Sequence, residues 1–352
     1  VALFILVWIS LTLVPALQGP GLWRAYPSYP AVDGWCRWDA GWYQSIVEHG
    51  YTNGAKTPTA QRDTYFWPLY PLVVRLLNIG VGNSYLSALL VSNLSFLISL
   101  ILLFRIAERR YGKEVATKGI ILLSLYPFSF YFSAYYSESL YLLTCVAAFF
   151  FGEQRRWILA GLCAAGAAAT RLTGSFVMFG LALLYLEQIN FSLKRVRSDI
   201  CWILLGFLGP LAFSVFLWQK FGDPFVFYSG RNILAEAANI TLSGLYGHMG
   251  NLIHGRIAIT EINILFGLLG LGVVLLACRR IGAAYSLWAI ASLLVGFSNF
   301  LGMGRYVAPV FPVFFAGAML LRSEGPYLAW ACFSTLLLAL FTFMFSHWYW
   351  VA

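Results

Sequence analysis

One carboxylate stands out for its surroundings. Asp39 lies within Cys36-Arg-Trp-Asp-Ala-Gly-Trp-Tyr-Gln-Ser-Ile-Val-Glu-His-Gly-Tyr51, flanked by Trp38, Trp42 and Tyr43, just past an apolar opening segment. About fifteen residues further on, Tyr65-Phe-Trp-Pro-Leu-Tyr-Pro71 returns the chain to the bilayer as an aromatic, proline-stiffened stretch suited to a lipid-water boundary. The two segments together describe a carboxylate-bearing pocket at a membrane surface. A carboxylate there suits general-base removal of a hydroxyl proton. Arginine suits an anionic partner, because its planar fork donates two parallel hydrogen bonds and keeps its charge near lipid. Arg171, in Ala169-Thr-Arg-Leu-Thr-Gly174, and Arg305, in Gly302-Met-Gly-Arg-Tyr-Val307, are the candidates. Glu138 in Tyr135-Tyr-Ser-Glu-Ser139, Asp223 in Phe221-Gly-Asp-Pro-Phe225, and Arg231 complete the polar set.

The elements that must position these residues are membrane spans. The chain has 352 residues, 60% of them apolar and 11% charged, which sets it apart from soluble domains and among polytopic membrane proteins. Apolar runs near 1–17, 84–104, 119–135, 139–152, 200–218, 261–278, 283–298, 307–321 and 326–346 each read as one crossing. The run 157–186, interrupted by Thr170-Arg-Leu-Thr-Gly174, has basic flanks at both ends and crosses twice. The expected architecture is an all-α polytopic transmembrane helical bundle of about eleven spans. It forms a single domain over 1–352, and a large first extracytoplasmic loop carries short interfacial helices. The opening Val1-Ala-Leu-Phe, with no Met and no basic flank, reads as an uncleaved first span that has lost a short cytoplasmic flank; the last span ends outside. Pro127 should kink the third span, and the Ala- and Gly-rich stretch 158–170 should let neighbouring backbones approach closely.

The net charge of +9 has a topological cause. Lys and Arg concentrate in the short segments 105–118, 153–157, 187–199, 279–282 and 322–325, which the positive-inside rule makes cytoplasmic. The long polar loops 18–66 and 219–260 are poor in them and belong on the other side, forming the mouth of the site. No nucleic-acid partner is implied. Five of the six cysteines lie in or beside apolar runs, so no disulfide framework follows, and no Cys/His cluster has metal-ligand spacing.

Each polar residue also has a purely structural reading. Asp39 can cap a short helix starting at Ala40, with Trp38 and Trp42 as interfacial anchors. Glu138 and Arg171 can satisfy each other as an ion pair, and Arg305 can snorkel to headgroups. Asp223, before a proline, is a natural turn former. The four histidines are scattered and receive no role.

The blocks Arg37-Trp-Asp-Ala-Gly-Trp-Tyr-Gln-Ser-Ile-Val-Glu-His-Gly-Tyr51, Phe66-Trp-Pro-Leu-Tyr-Pro71, Phe132-Ser-Ala-Tyr-Tyr-Ser-Glu-Ser139, Ala169-Thr-Arg-Leu-Thr-Gly174, Phe221-Gly-Asp-Pro-Phe225 and Arg305-Tyr-Val-Ala-Pro-Val-Phe-Pro312 resemble, in order, those of the GPI mannosyltransferase 2 (PIG-V-like) family. The resemblance implies a GT-C glycosyltransferase that uses a polyprenyl-phosphate-mannose donor on the extracytoplasmic or lumenal face and a glycolipid or glycan acceptor. In that scheme Asp39 is the general base of an inverting transfer, and Arg305 and Arg171 meet the donor phosphate. Trp38, Trp42, Tyr43, Tyr65, Tyr135, Glu138, Asp223 and Arg231 line the sugar and acceptor side. The scheme requires no metal and no other cofactor. A lipid-linked-sugar flippase and a non-catalytic subunit of a glycan-assembly complex are the alternatives. Product formation in detergent separates an enzyme from the first, and loss of function in an Asp39→Ala variant separates it from the second.

Overall fold

The computed structural model describes residues 1–18, 22–26, 28–52, 63–228 and 241–352. Among the described residues the regular structure is helical, with no strand. Among the described residues, five helical stretches are long and apolar enough to cross a membrane: Ser84–Tyr111, Ser198–Phe221, Ile259–Ile281, Ala283–Val307 and Glu324–Ser346. Shorter apolar helices stand beside them, Ala2–Leu13 and Trp157–Thr170 among them. The chain is an integral membrane protein.

In chain order the helices are α1 (Ala2–Leu13), α2 (Pro30–Asp33), α3 (Ala40–His49), α4 (Leu69–Val81), α5 (Ser84–Tyr111), α6 (Lys113–Ser124), α7 (Glu138–Glu153) and α8 (Trp157–Thr170). They continue as α9 (Val177–Gln188), α10 (Leu208–Phe221), α11 (Leu242–Ile253), α12 (Ile259–Ile281), α13 (Ala283–Gly296), α14 (Met303–Val307), α15 (Pro312–Leu320) and α16 (Glu324–Ser346). The short helices α2 and α3 lie in the first long loop, as its aromatic and polar composition leads one to expect.

Two features depart from the sequence reading. The segment read as a kinked third span is interrupted: α6 stops at Ser124 and a 3₁₀ turn, Ser129–Phe132, follows. Pro127 has no N–H to continue the ladder, so the helix ends, and the freed Ser124 carbonyl accepts a hydrogen bond from Ser129 Oγ at 2.9 Å. The second departure is α4, which begins within the returning aromatic segment. Its outer stripe, Leu72, Leu76 and Ile79, is exposed at i, i+4, i+7 spacing, while Tyr70 and Val74 are buried against the bundle. That pattern belongs to a helix with one face on protein and the other on lipid.

Close backbone approach at the small-residue helix is realised. A Cβ placed on Gly161 of α8 would lie 2.0 Å from the carbonyl oxygen of Trp202, so only glycine admits this contact.

The two ends of the bundle differ in chemistry. At one end, Arg110 at the close of α5 bonds Glu153 at the close of α7 at 2.5 Å and reaches Glu187 of α9 at 3.5 Å. Tyr285 of α13 donates to the same Glu153 at 2.9 Å, and the Ala284 amide donates to Glu187 at 2.9 Å. This knot ties four helix ends together. The other end gathers the start of α3, the start of α7, the close of α8 and α14, and carries the candidate site.

Candidate active site

Asp39 directly precedes α3, the place of a helix cap, yet its side chain makes no capping bond and its backbone is already helical (φ −60°, ψ −19°). Its Oδ2 instead accepts a hydrogen bond from Arg305 Nη1 at 2.7 Å. The capping reading therefore does not account for the carboxylate. Behind it, the Asp39 amide donates to Tyr136 Oη at 3.2 Å, and that hydroxyl donates to the Arg37 carbonyl at 3.1 Å. Arg37 is fully buried and pins this turn: it bonds Asp33 Oδ2 at 2.5 Å, the Asp33 carbonyl at 2.7 Å and the Ser346 carbonyl of α16 at 3.0 Å. Between the two lies Trp38 with φ +52°, a left-handed conformation costly for a bulky residue. It turns the indole towards Trp348 and Trp350, edge-on at 5.5 and 5.4 Å.

Arg305 lies in α14, where Gly304 brings the backbone against an aromatic ring. A Cβ on Gly304 would fall 2.3 Å from the Phe128 ring, and the Gly304 amide donates to Asn263 Oδ1 at 2.9 Å. From this fixed base the Arg305 guanidinium runs over Tyr136 and Tyr131, with ring centroids 4.6 and 5.1 Å away. Its Nε bonds Glu138 Oε1, the same oxygen that accepts from Arg171 Nη2 at 2.8 Å. Arg305 therefore does not snorkel; its side chain is 9% exposed and engages two carboxylates. Glu138 is fully buried, and among the described residues its second oxygen, Oε2, has no hydrogen-bond partner. Arg171 follows α8 in extended backbone and lies over Tyr306 and Tyr141. The result is an alternating chain, Asp39, Arg305, Glu138, Arg171, built from four separate segments.

The other sequence candidates fall into place around this chain or away from it. Tyr43 is buried one layer back and donates to Ser137 Oγ at 2.8 Å; burial, with Glu138 near by, pushes its phenol up and keeps it protonated. Trp42 stacks on Phe66 at 5.9 Å, and half-buried Tyr65 closes the 3₁₀ turn Asp63–Tyr65. Tyr135 is fully buried against Tyr70 and Tyr85, remote from water, so its ring supports the wall rather than facing an open mouth. Asp223 Oδ1 accepts from the Phe225 amide at 2.8 Å, the side-chain turn that Asp before Pro favours. Arg231 lies outside the described residues.

Sequence reasoning missed Tyr136 and Tyr131 under the guanidinium, the Arg37–Asp33 anchor, and Trp348 and Trp350. It also assigned no partner to His248, whose Nδ1 lies 2.7 Å from Glu261 Oε1. Among the described residues no group of three or more His, Cys, Asp or Glu side chains is placed to hold a metal ion.

Residues 66–303, more than half of the chain, match glycosyltransferase family 87. The chain belongs to that family. Over 152 residues this member is 30% identical to a GPI mannosyltransferase 2 of Cryptococcus neoformans var. neoformans serotype D, a match covering 40% of this chain and 34% of the relative. It thus spans about a third of that relative. Its fold is similar to that of ArnT from Cupriavidus metallidurans, solved bound to undecaprenyl phosphate, with a TM-score of 0.55 over 93% of this chain and 61% of ArnT at 16% identity. An oligosaccharyltransferase of Archaeoglobus fulgidus aligns with a TM-score of 0.47 over 98% of this chain and 54% of that one, at 13% identity. The fold is that of the GT-C glycosyltransferases, as the ordered sequence blocks imply.

Proposed function

We propose that this family 87 member transfers a mannosyl group from a polyprenyl-phosphate donor to a hydroxyl of a glycolipid or glycan acceptor on the extracytoplasmic face of its membrane. The observation that carries the reading is the chain Asp39, Arg305, Glu138, Arg171, which sets one partly exposed carboxylate against an aromatic-backed guanidinium and holds a second guanidinium on the far side of Glu138. Asp39, 23% exposed, is the member that water and an acceptor can reach. Membership of family 87 supports glycosyl transfer, the GPI mannosyltransferase 2 similarity supports mannose, and the undecaprenyl phosphate in ArnT supports a lipid-phosphate donor.

The acceptor oxygen attacks the anomeric carbon and its proton passes to Asp39. The bond from that carbon to the phosphate oxygen breaks, and its electron pair leaves on the phosphate, whose growing charge Arg305 and Arg171 receive. Direct displacement by one nucleophile inverts the anomeric centre. Trp38, next to Asp39 in the chain, and Trp350, packed edge-on against Trp38, offer aromatic surface to the incoming sugar. Two arginines supply the positive charge in this scheme, so it draws on no metal or other cofactor.

The test is transfer of labelled mannose from polyprenyl-phosphate-mannose to lipid extracts of the source membrane by the purified protein in detergent, with and without EDTA, followed by mass analysis of the product. Product in both samples supports the reading. Absence of product with every lipid-linked donor, or product only from a nucleotide sugar, ends it.

A further inference from the structure

Arg305 presents two hydrogen-bonding edges to its surroundings. The Nε side is taken by Glu138, and on the outer edge Nη1 is taken by Asp39 at 2.7 Å. A phosphate binding Arg305 through two parallel hydrogen bonds needs that outer edge, since the other is closed by a fully buried carboxylate. The base assigned above therefore sits where the donor phosphate must go. We propose that Asp39 is held in reserve by Arg305 until the donor phosphate takes its place, so that arrival of the donor frees the base. This rests on the donor assignment under Proposed function and adds an order of events to it.

The surroundings decide which partner yields. Arg305 is held on three sides, by Glu138 and by the Tyr136 and Tyr131 rings, and its backbone is wedged at Gly304 against Phe128. Glu138 is itself locked, because its Oε1 also accepts from Arg171 at 2.8 Å. Asp39 is the most exposed of the four, and among the described residues the bond to Arg305 is the hydrogen bond recorded for its carboxylate. The carboxylate turns away; the guanidinium stays.

Charge points the same way. Two carboxylates and two guanidinium groups make the chain neutral, so a phosphodiester entering it unchanged adds a negative charge beside Asp39. At close range, with little water between, that repulsion is strong, and moving Asp39 from Arg305 relieves it. The freed carboxylate then has an open oxygen to meet the acceptor hydroxyl at the moment an electrophile is in place. Without donor it remains paired.

Carboxyl labelling tests this directly. The purified protein is treated with a water-soluble carbodiimide and an amine, with and without polyprenyl methyl phosphate, a phosphodiester carrying no sugar, and modification of Asp39 is followed by peptide mass analysis. Binding of the same lipid is measured in parallel by thermal shift. Saturable binding with a severalfold rise in Asp39 labelling, and no change at buried Glu138, is the expected result. In Arg305→Ala, Asp39 should label rapidly whether or not the lipid is present; slow labelling there would mean that Arg305 is not what holds it. If the lipid binds and Asp39 labelling is unchanged or falls, the release is wrong while the donor assignment stands. If the lipid does not bind, both are wrong.

Discussion

Asp39 and Arg305 are 266 positions apart in the chain and 2.7 Å apart in space, and the contact joins the first long loop to the fourteenth helix. Everything chemical in the proposed mechanism turns on that pair, because one member is assigned to the acceptor proton and the other to the donor phosphate.

Replacing Asp39 with asparagine keeps the shape of the side chain and a hydrogen bond to Arg305 but removes the base. Turnover in the mannose transfer assay should fall by at least about 10²-fold with little loss of thermal stability. Near-normal turnover in this variant would return Asp39 to a structural role.

At Arg305 the informative comparison is between lysine and alanine. Lysine keeps the charge but cannot hold Glu138 and Asp39 at once with a rigid fork, so donor use should fall between wild type and alanine. Arg305→Ala also leaves the buried Glu138 with one guanidinium, Arg171, in place of two, a loss visible as a lower melting temperature. Equal donor use by all three proteins would contradict the phosphate role.

Gly304→Ala probes the wedge behind Arg305. The added methyl meets the Phe128 ring at 2.3 Å, and overpacking of this kind costs about 1–3 kcal/mol. The expected outcome is a modest drop in thermal stability together with a larger drop in transfer, since the guanidinium moves with its backbone. The companion change Phe128→Leu should restore part of the activity; no restoration would show that the ring is not the obstacle.

Sidedness is open to single-cysteine labelling in a background without native cysteines. Ser28 and Ser243 are exposed in the two long loops read as extracytoplasmic, and Ser323 is exposed within the segment 322–325 read as cytoplasmic. A membrane-impermeant reagent on intact cells should label cysteine at 28 and 243 and reach 323 only after permeabilisation. The reverse pattern would put Asp39 in the cytoplasm and favour a nucleotide-sugar donor.

Much of the bundle was legible in the sequence because length and apolarity dictate spans. The loop helix after Asp39 was legible too, through its cap-like start. The missing detail has identifiable causes. α4 is short and opens among prolines and aromatic rings, where a return to the membrane and an interfacial helix read alike. Pro127 signals disruption but does not distinguish a bend from a stop; the hydroxyl of Ser129, placed to take the Ser124 carbonyl, made the stop affordable. At the site, the polar residues announced themselves by being charged in an apolar chain, and Glu138 with Arg171 was an evident pairing. That Glu138 Oε1 serves two arginines, and that Tyr131 and Tyr136 rather than the other tyrosines lie under Arg305, depends on distant segments meeting. No local pattern encodes it.

The Arg110 knot sits at the far end from this chemistry and binds the closing turns of α5, α7 and α9 to the opening of α13. The helices are least free to part where one guanidinium fastens them. The knot is thus a clasp: it grips the bundle at the end opposite the one where Glu138 and Arg171 stand. Loosening it by Glu153→Gln slackens the grip without touching a reacting atom.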